Sequence, residues 1–420
     1  MPVLNNISQL ATCPPDRPQQ DAGLLGNAAL VWTDGLVRWV GSITDMPAEY
    51  QDEPVIDCGH RLIIPGLVDC HTHLCFGGWR SDEFELRLGG ASYQEIALAG
   101  GGIASTVAAT RGASLDELLH KAESILDEML DLGITTVECK SGYGLDEANE
   151  LKQLEVYQRL NDTHVVDLVP TFLGAHIIPP EHEKHRDRYI SLLCDVLIPR
   201  VASQGLARFC DAFVETGAYS IEESLKILSV AAGHGLGIKI HADQLSDGGG
   251  AELAAELGAV SAEHLEYVSD AGIEAMAAAG TVAVSLPLAS LYLSEPYMPA
   301  RKMLDRGVSV AVATDFNPGS SPSYHLPLAM TLACVHQGMT PQETLKGATC
   351  VAAKAVSLSQ HIGTLLPGYS ADLAIIDSPS LNHWLYHFRS NACIAVMKNG
   401  AWVSGNQSAL TPGGLSPQIA

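Results

Sequence analysis

The densest chemical signal in the chain is Asp-Cys-His-Thr-His at residues 69–73. Along an extended strand, residues two apart project to the same side, so His71 and His73 present two imidazoles in one direction. Two convergent imidazoles suit Zn2+ or a similar borderline metal. An isolated pair of this kind reads equally well as two satisfied polar residues in a turn. Here the pair follows an apolar run, and further metal-competent residues recur: His176 closes VPTFLGAH, His241 lies in IKIHA, His264 closes VSAEH and Asp315 closes VSVAVATD. A satisfied core histidine accounts for any one of these, but not for the set. His71, His73, His241 and Asp315 would supply three imidazoles and a carboxylate with a position left for water, which marks a catalytic rather than a structural centre. An ion held in that way lowers the pKa of its water towards neutrality. His264 and His176 are then free to polarise, orient or shuttle protons. A second metal would need a bridging group at the end of the fourth strand, often a carboxylated lysine; Val214 and Glu215 stand there instead, and Lys140 lies after the second strand, badly placed for the role. One metal ion is expected.

These residues share a setting. Apolar runs near 67–71, 135–139, 165–173, 207–214, 237–241, 259–264, 281–286 and 308–314 alternate with helix-like stretches near 114–132, 146–160, 221–234, 248–257 and 270–279. Ser114 with Glu117 forms a capping-box pattern at the first of these helices. Eight strands with intervening helices predict an α/β fold, a (β/α)8 barrel of the TIM type, in which the functional groups gather at the C-terminal ends of the strands. Two more helical stretches follow, near 326–336 and 341–356. The first sixty residues and the segments 371–376, 392–398 and 401–403 read as short strands, with hairpin signals at Asp34-Gly35 and Asn399-Gly400. The two chain ends are therefore expected to build one small β-sandwich domain. The predicted divisions are residues 1–64 and 365–420 for that domain and 65–364 for the barrel, with the final fifteen residues a loose tail.

Composition narrows the function classes. Of 420 residues, 47% are hydrophobic and 17% charged, which suits a large globular core and excludes a disordered chain or a coiled coil. The net charge of -24 repels phosphate backbones and anionic lipid, so neither nucleic acid nor membrane is an expected partner. No apolar run reaches the length of about 18 residues needed for a span. No Lys or Arg precedes Arg17, so the basic start of a secretory signal is missing. Ten Cys without a CxxC pair predict reduced thiols in a cytoplasmic protein.

Taken as blocks, these residues resemble the amidohydrolase superfamily and, within it, the imidazolonepropionase family of histidine degradation. The resemblance spans roughly residues 31–403 and rests on PGLVDCHTHLCFGGWRSDEFELR (65–87), GGGIASTVAATR (100–111), VECKSGYGLD (137–146), LGAH (173–176), IHADQLSDGGG (240–250), AEHLEY (262–267) and TDFNPGSSP (314–322). PGxxDxHxH marks only the superfamily; FGGWR, KSGYGLD and DFNPGSSP together are far more specific. The resemblance implies hydrolysis of the ring C–N bond of a small molecule, 4-imidazolone-5-propanoate, to N-formimidoyl-L-glutamate. It implies one divalent ion, Zn2+ or Fe, on His71, His73, His241 and Asp315, and a homodimer. It places substrate contacts at Arg80, Tyr143, His176, Gln244, Asn317, Gly319 and Ser320, and a catalytic histidine at His264.

The residue chemistry is compatible with each carry-over. Arg80 offers a bidentate fork to a propionate, although a surface salt bridge is the plainer reading of a lone arginine. Tyr143 sits among small neighbours in SGYG, and Asn317, Gly319 and Ser320 follow Asp315 in a turn-forming sequence. Some family members carry Glu at the position of Gln244; an amide cannot act as a base, so Gln244 is expected to hydrogen-bond the ring. The base is then Asp315 or His264, with Asp315 favoured and His264 stabilising the developing oxyanion. Two rivals stand beside this reading. Another amidohydrolase, such as a nucleobase deaminase, would share the metal ligands but gain little from Arg80. A non-catalytic scaffold barrel would be expected to have lost several of the ligands.

Overall fold

A computed structural model describes residues 1–90 and 101–405. The chain opens with strands β1 (Val3–Ala11), β2 (Leu24–Thr33), β3 (Leu36–Ser42) and β4 (Val55–Pro65). Eight strands follow: β5 (Leu67–Thr72), β6 (Ile134–Lys140), β7 (Asp167–Ala175), β8 (Phe209–Val214), β9 (Gly237–Ala242), β10 (Ser261–His264), β11 (Val282–Ser285) and β12 (Val310–Val312). Three more, β13 (Leu373–Ile376), β14 (Cys393–Lys398) and β15 (Ala401–Gly405), end the described chain.

Strands β5 to β12 form one eight-stranded sheet in sequence order. Its registered pairs from β7 to β12 are parallel. At the C-terminal ends of its outermost strands the sheet curls back on itself. Thr72 bridges Phe316 in parallel, the N–H of Asp315 donates to the His71 carbonyl at 3.0 Å, and that of His73 donates to Phe316 at 2.8 Å. The predicted barrel is therefore present. Strands β5 and β6 are buried at every position, as expected for a sheet covered on both faces. The predicted capping box is also present, opening helix Leu115–Asp131 through Ser114 and Glu117.

The other strands form a seven-stranded mixed sheet in the order β15-β14-β13-β4-β1-β2-β3, so both chain ends contribute to it. Its core holds Leu4, Ile7, Leu30, Trp32, Ile63, Leu373 and Met397. Both predicted hairpins occur. Asp34 and Gly35 take φ of +51° and +76°, and Asn399 and Gly400 take +49° and +76°, the left-handed pair a two-residue turn needs. The single helix expected over 341–356 is instead two, Pro341–Gly347 and Cys350–Ala355. Between them Thr349 leaves the helical conformation at φ -133° and ψ -101°, and the Ala348 carbonyl accepts the N–H of Val68 in β5.

By packing, the chain divides into two compact units, Met1–Cys70 with Asp127–Thr136 and His325–Ala420, and His71–Leu126 with Val137–Tyr324. Every candidate site residue lies in the second unit. The expected loose tail, residues 406–420, falls outside the described residues. Among the described residues no helix is long and apolar enough to cross a membrane.

Candidate metal centre

Each candidate group stands at or just past the end of a barrel strand. His71 is in β5, His241 in β9, His264 ends β10, and Asp315 lies three residues past β12. All of them, with His73, are buried. The His71 ring centroid lies 5.4 Å from that of His73, 4.7 Å from His241 and 5.7 Å from His264. Asp315 Oδ1 lies 3.3 Å from His71 Nε2 and 3.6 Å from His73 Nε2. Donor atoms close enough to share one ion occur in three groups: His71 with His73 and Asp315, His71 with His241 and His264, and Asp211 with His241 and Glu263. His71 thus joins His73 and Asp315 to His241.

Two observations fit an ion in this place. The Nε2 atoms of His71 and His241 are buried without a hydrogen bond, an arrangement costly for an apolar pocket and natural for ligands. Carboxylates also stand behind the rings. Glu263 Oε2 is 2.6 Å from His71 Nδ1, and Asp211 Oδ2 is 3.0 Å from His241 Nδ1, which leaves each Nε2 facing the centre. Burial opposes charge on His71, but Glu263 outweighs it and pushes the imidazole up to about 9. Burial takes His241 down to about 4 against the pull of Asp211, and burial with the neighbouring histidines holds His73 well below its usual range. His264 and Asp315 adopt left-handed backbone at φ +77° and +55°, strain of the kind that collects at functional sites.

Below the rings lies a charged layer that the sequence reading missed. The strand expected to end at 139 includes Lys140, which still stands on the second strand of the barrel and not on the fourth. Strand β6 runs on through it, so Glu138 and Lys140, two apart, both point into the barrel. Lys140 Nζ lies 2.8 Å from Glu138, 2.9 Å from Asp211 and 2.8 Å from Glu263, all fully buried. Lys239 meets the other oxygen of Glu263 at 2.7 Å. Burial disfavours every one of these charges. Mutual attraction nonetheless holds Lys140 well above, and Asp211 and Glu263 well below, their usual ranges. The signal available in the sequence was the alternation in VECK, IKIH and SAEH.

Loops complete the site. His176 stacks on His73 with centroids 5.2 Å apart, and the Tyr143 ring lies 5.4 Å from His176. His176 Nδ1 is 3.0 Å from the Gly142 carbonyl, which can only accept, so Nδ1 carries the proton and Nε2 a lone pair. Burial pushes His176 down to about 4. The loop bearing Tyr143 is gathered by the buried carboxylate of Glu150, which accepts the N–H groups of Gly142, Gly144 and Leu145. Arg80 is largely buried and paired with Glu83 at 2.8 Å. A Cβ at Gly319 would stand 2.0 Å from the Arg80 guanidinium, so the two loops meet there. The Asn317 amide is already occupied: Oδ1 accepts from Gly319 and Ser320, and Nδ2 donates to the Asp315 carbonyl and Ser320 Oγ. Gln244 is half-buried just past β9. Glu215, past β8, accepts the N–H of Leu245 at 2.9 Å and the hydroxyl of Ser246, steadying that loop.

Comparison with known proteins narrows what this arrangement serves. The model of the amidohydrolase family matches residues 212–403. The imidazolonepropionase of Symbiobacterium thermophilum is 48% identical over 91% of this chain and 91% of its own length. The chain belongs to the imidazolonepropionase family. Geobacillus thermodenitrificans imidazolonepropionase is likewise 48% identical, over 88% of each chain, and that of Clostridium tetani 42% identical over 95% of this chain and 97% of its own. Among solved structures, 5-methylcytosine deaminase from Klebsiella pneumoniae superposes with a TM-score of 0.73 at 17% identity, covering 96% of this chain and 97% of its own. Zinc-bound atrazine chlorohydrolase TrzN from Arthrobacter aurescens gives 0.67 at 16%, covering 97% and 96%. At that identity the likeness shows the fold alone. The deaminase rival therefore rests on shared architecture, whereas kinship with imidazolonepropionases runs through nine-tenths of the sequence.

Proposed function

We propose that His71, His73, His241 and Asp315 hold one divalent ion, zinc or iron, in a hydrolase that opens the ring C–N amide bond of 4-imidazolone-5-propanoate to give N-formimidoyl-L-glutamate. The observation that supports the site assignment is the convergence of the buried His71 and His73 Nε2 atoms on one oxygen of Asp315, at 3.3 Å and 3.6 Å. When bound, the ion supplies Lewis acidity, polarising a carbonyl and acidifying water at neutral pH.

The chain's own groups divide the remaining work. Asp315 takes the proton of the attacking water, with Ser320 Oγ 3.4 Å from its second oxygen. His264 stabilises the charge that grows on the ring carbonyl oxygen. Neutral His176 turns its Nε2 lone pair to a ring N–H, while Gln244 and Tyr143 hold the ring's other polar edges. Arg80 receives the propionate and releases Glu83, whose Oε2 it holds through Nε and Nη2, to do so. Asn317 enters as the former of the loop that presents Gly319 and Ser320, because its own amide is spent within that loop. The reading extends to a cytoplasmic homodimer. Ten scattered Cys without a CxxC pair suit a reducing compartment, and a solution mass of twice 44.5 kDa would check the dimer, which rests on the family alone.

The test follows the absorbance of 4-imidazolone-5-propanoate, generated in place from urocanate by urocanase, before and after chelation of the purified protein. Metal-dependent loss above the spontaneous rate, with formimidoylglutamate as product, is the expected result. No acceleration by metal-replete protein would overturn the reading.

A further inference from the structure

Lys140 touches no substrate in the scheme above, yet it sits at the centre of the buried charged layer. An ammonium has three N–H donors and no acceptor, and here three carboxylates surround it, those of Glu138, Asp211 and Glu263 at 2.8 Å, 2.9 Å and 2.8 Å. Two of the oxygens it meets are the very atoms behind the candidate ligands. Asp211 Oδ2 lies 3.0 Å from His241 Nδ1, and Glu263 Oε2 lies 2.6 Å from His71 Nδ1. Each of these oxygens therefore has the ammonium on one side and an imidazole on the other. A carboxylate at Nδ1 sets both the ring plane and the tautomer that leaves Nε2 free for a ligand bond.

From this geometry we infer that Lys140 is the positioning residue of the metal centre: one ammonium, acting through Asp211 and Glu263, fixes the orientation of both His241 and His71. The inference rests on the metal reading given under Proposed function. Glu138 is the third anchor. It accepts Lys140 and the Thr171 hydroxyl with one oxygen and has the N–H of Thr72 at 3.4 Å from the other, which ties the ammonium to β5 and β7. Lys239 supplies an internal comparison. It is equally buried and equally cationic, but it meets Glu263 at Oε1, the oxygen not shared with His71, and donates to Ser261 Oγ at 2.9 Å. Removing either lysine deletes one buried positive charge. Removing Lys140 alone frees the oxygens that hold both rings.

The experiment compares wild type, Lys140→Met and Lys239→Met. Each protein is stripped with a chelator and titrated with Zn2+ against a chromophoric competitor, and its Co2+ absorption spectrum and thermal midpoint are recorded. Lys140→Met should bind Zn2+ about 10- to 100-fold more weakly and shift the Co2+ ligand-field bands, whereas Lys239→Met should lose less than about threefold, even where both lower the midpoint. Wild-type affinity and spectrum in Lys140→Met would overturn the inference, as would an equal loss in Lys239→Met. If Lys140→Met does not fold, Lys140→Gln, whose amide keeps two donors, takes its place. An intermediate loss then supports the inference, and unchanged binding overturns it. Wild-type protein that binds no Zn2+ is a separate result, and would remove the metal reading together with the inference built on it.

Discussion

The N–H of Asp315 donates to the carbonyl of His71 at 3.0 Å, so the two ends of the barrel sheet are joined at two of the proposed metal ligands. Their side chains meet on the inner side of that junction, with Asp315 Oδ1 3.3 Å from His71 Nε2. Closure of the fold and assembly of the site are one event. Asp315 reaches this geometry at φ +55°, a conformation that Asp and Asn tolerate better than most residues.

Asp315→Asn should therefore keep the backbone and lose the charge. We expect a fall in kcat of about 100-fold or more, the usual contribution of a proton acceptor, with the thermal midpoint nearly retained. Steady-state kinetics and circular dichroism melting check the two parts, and a normal kcat would exclude Asp315 as the base.

His241→Ala removes a proposed ligand whose buried Nε2 has no hydrogen bond. Metal and activity should disappear together, as read by elemental analysis after dialysis and by the imidazolonepropanoate assay. Full activity with metal absent would contradict the proposed centre.

Arg80→Met should raise KM while metal content stays at the wild-type level. The loss expected for one charged hydrogen-bonded contact is about 1.5–3 kcal/mol, or roughly 10- to 100-fold. Gly319→Ala is predicted to act in the same direction without touching a charge, because its Cβ would fall 2.0 Å from the guanidinium and displace it. A KM unchanged in both variants would remove Arg80 from the substrate site.

His176 links the site to pH. Burial holds its folded value near 4, below the ordinary histidine value of 6.5, so over that window the unfolded chain binds a proton that the folded chain does not. Its contribution to stability is therefore fully present above the unfolded value and is lost as pH falls towards 4. In metal-free protein, the drop in unfolding free energy between pH 7 and pH 5 should be smaller by about 2 kcal/mol in His176→Asn than in wild type. Urea melts at the two pH values measure it, and identical drops would place the His176 imidazole in water rather than against His73.

The chemistry of this protein was legible in short stretches of chain. The spacing of His71 and His73 requires only a strand's two-residue period, and eight apolar runs with turns between them imply strands whose ends share one face. Asn399-Gly400 specified its own hairpin because the left-handed conformations it needs are cheap for those residues. Lys140 marks where this stopped. Ending its strand one residue early set it aside, whereas in the folded chain it is the hub of the buried layer, bonded to Asp211 71 positions away. A strand period says that Glu138 and Lys140 share a face; it does not say which face is the interior or what stands across it. The sequence by itself determined which residue types gather at the strand ends and the order of the strands. Only the closed barrel decided which carboxylates stand behind which imidazoles, because those pairings join residues from different strands and exist only once the barrel has set their register.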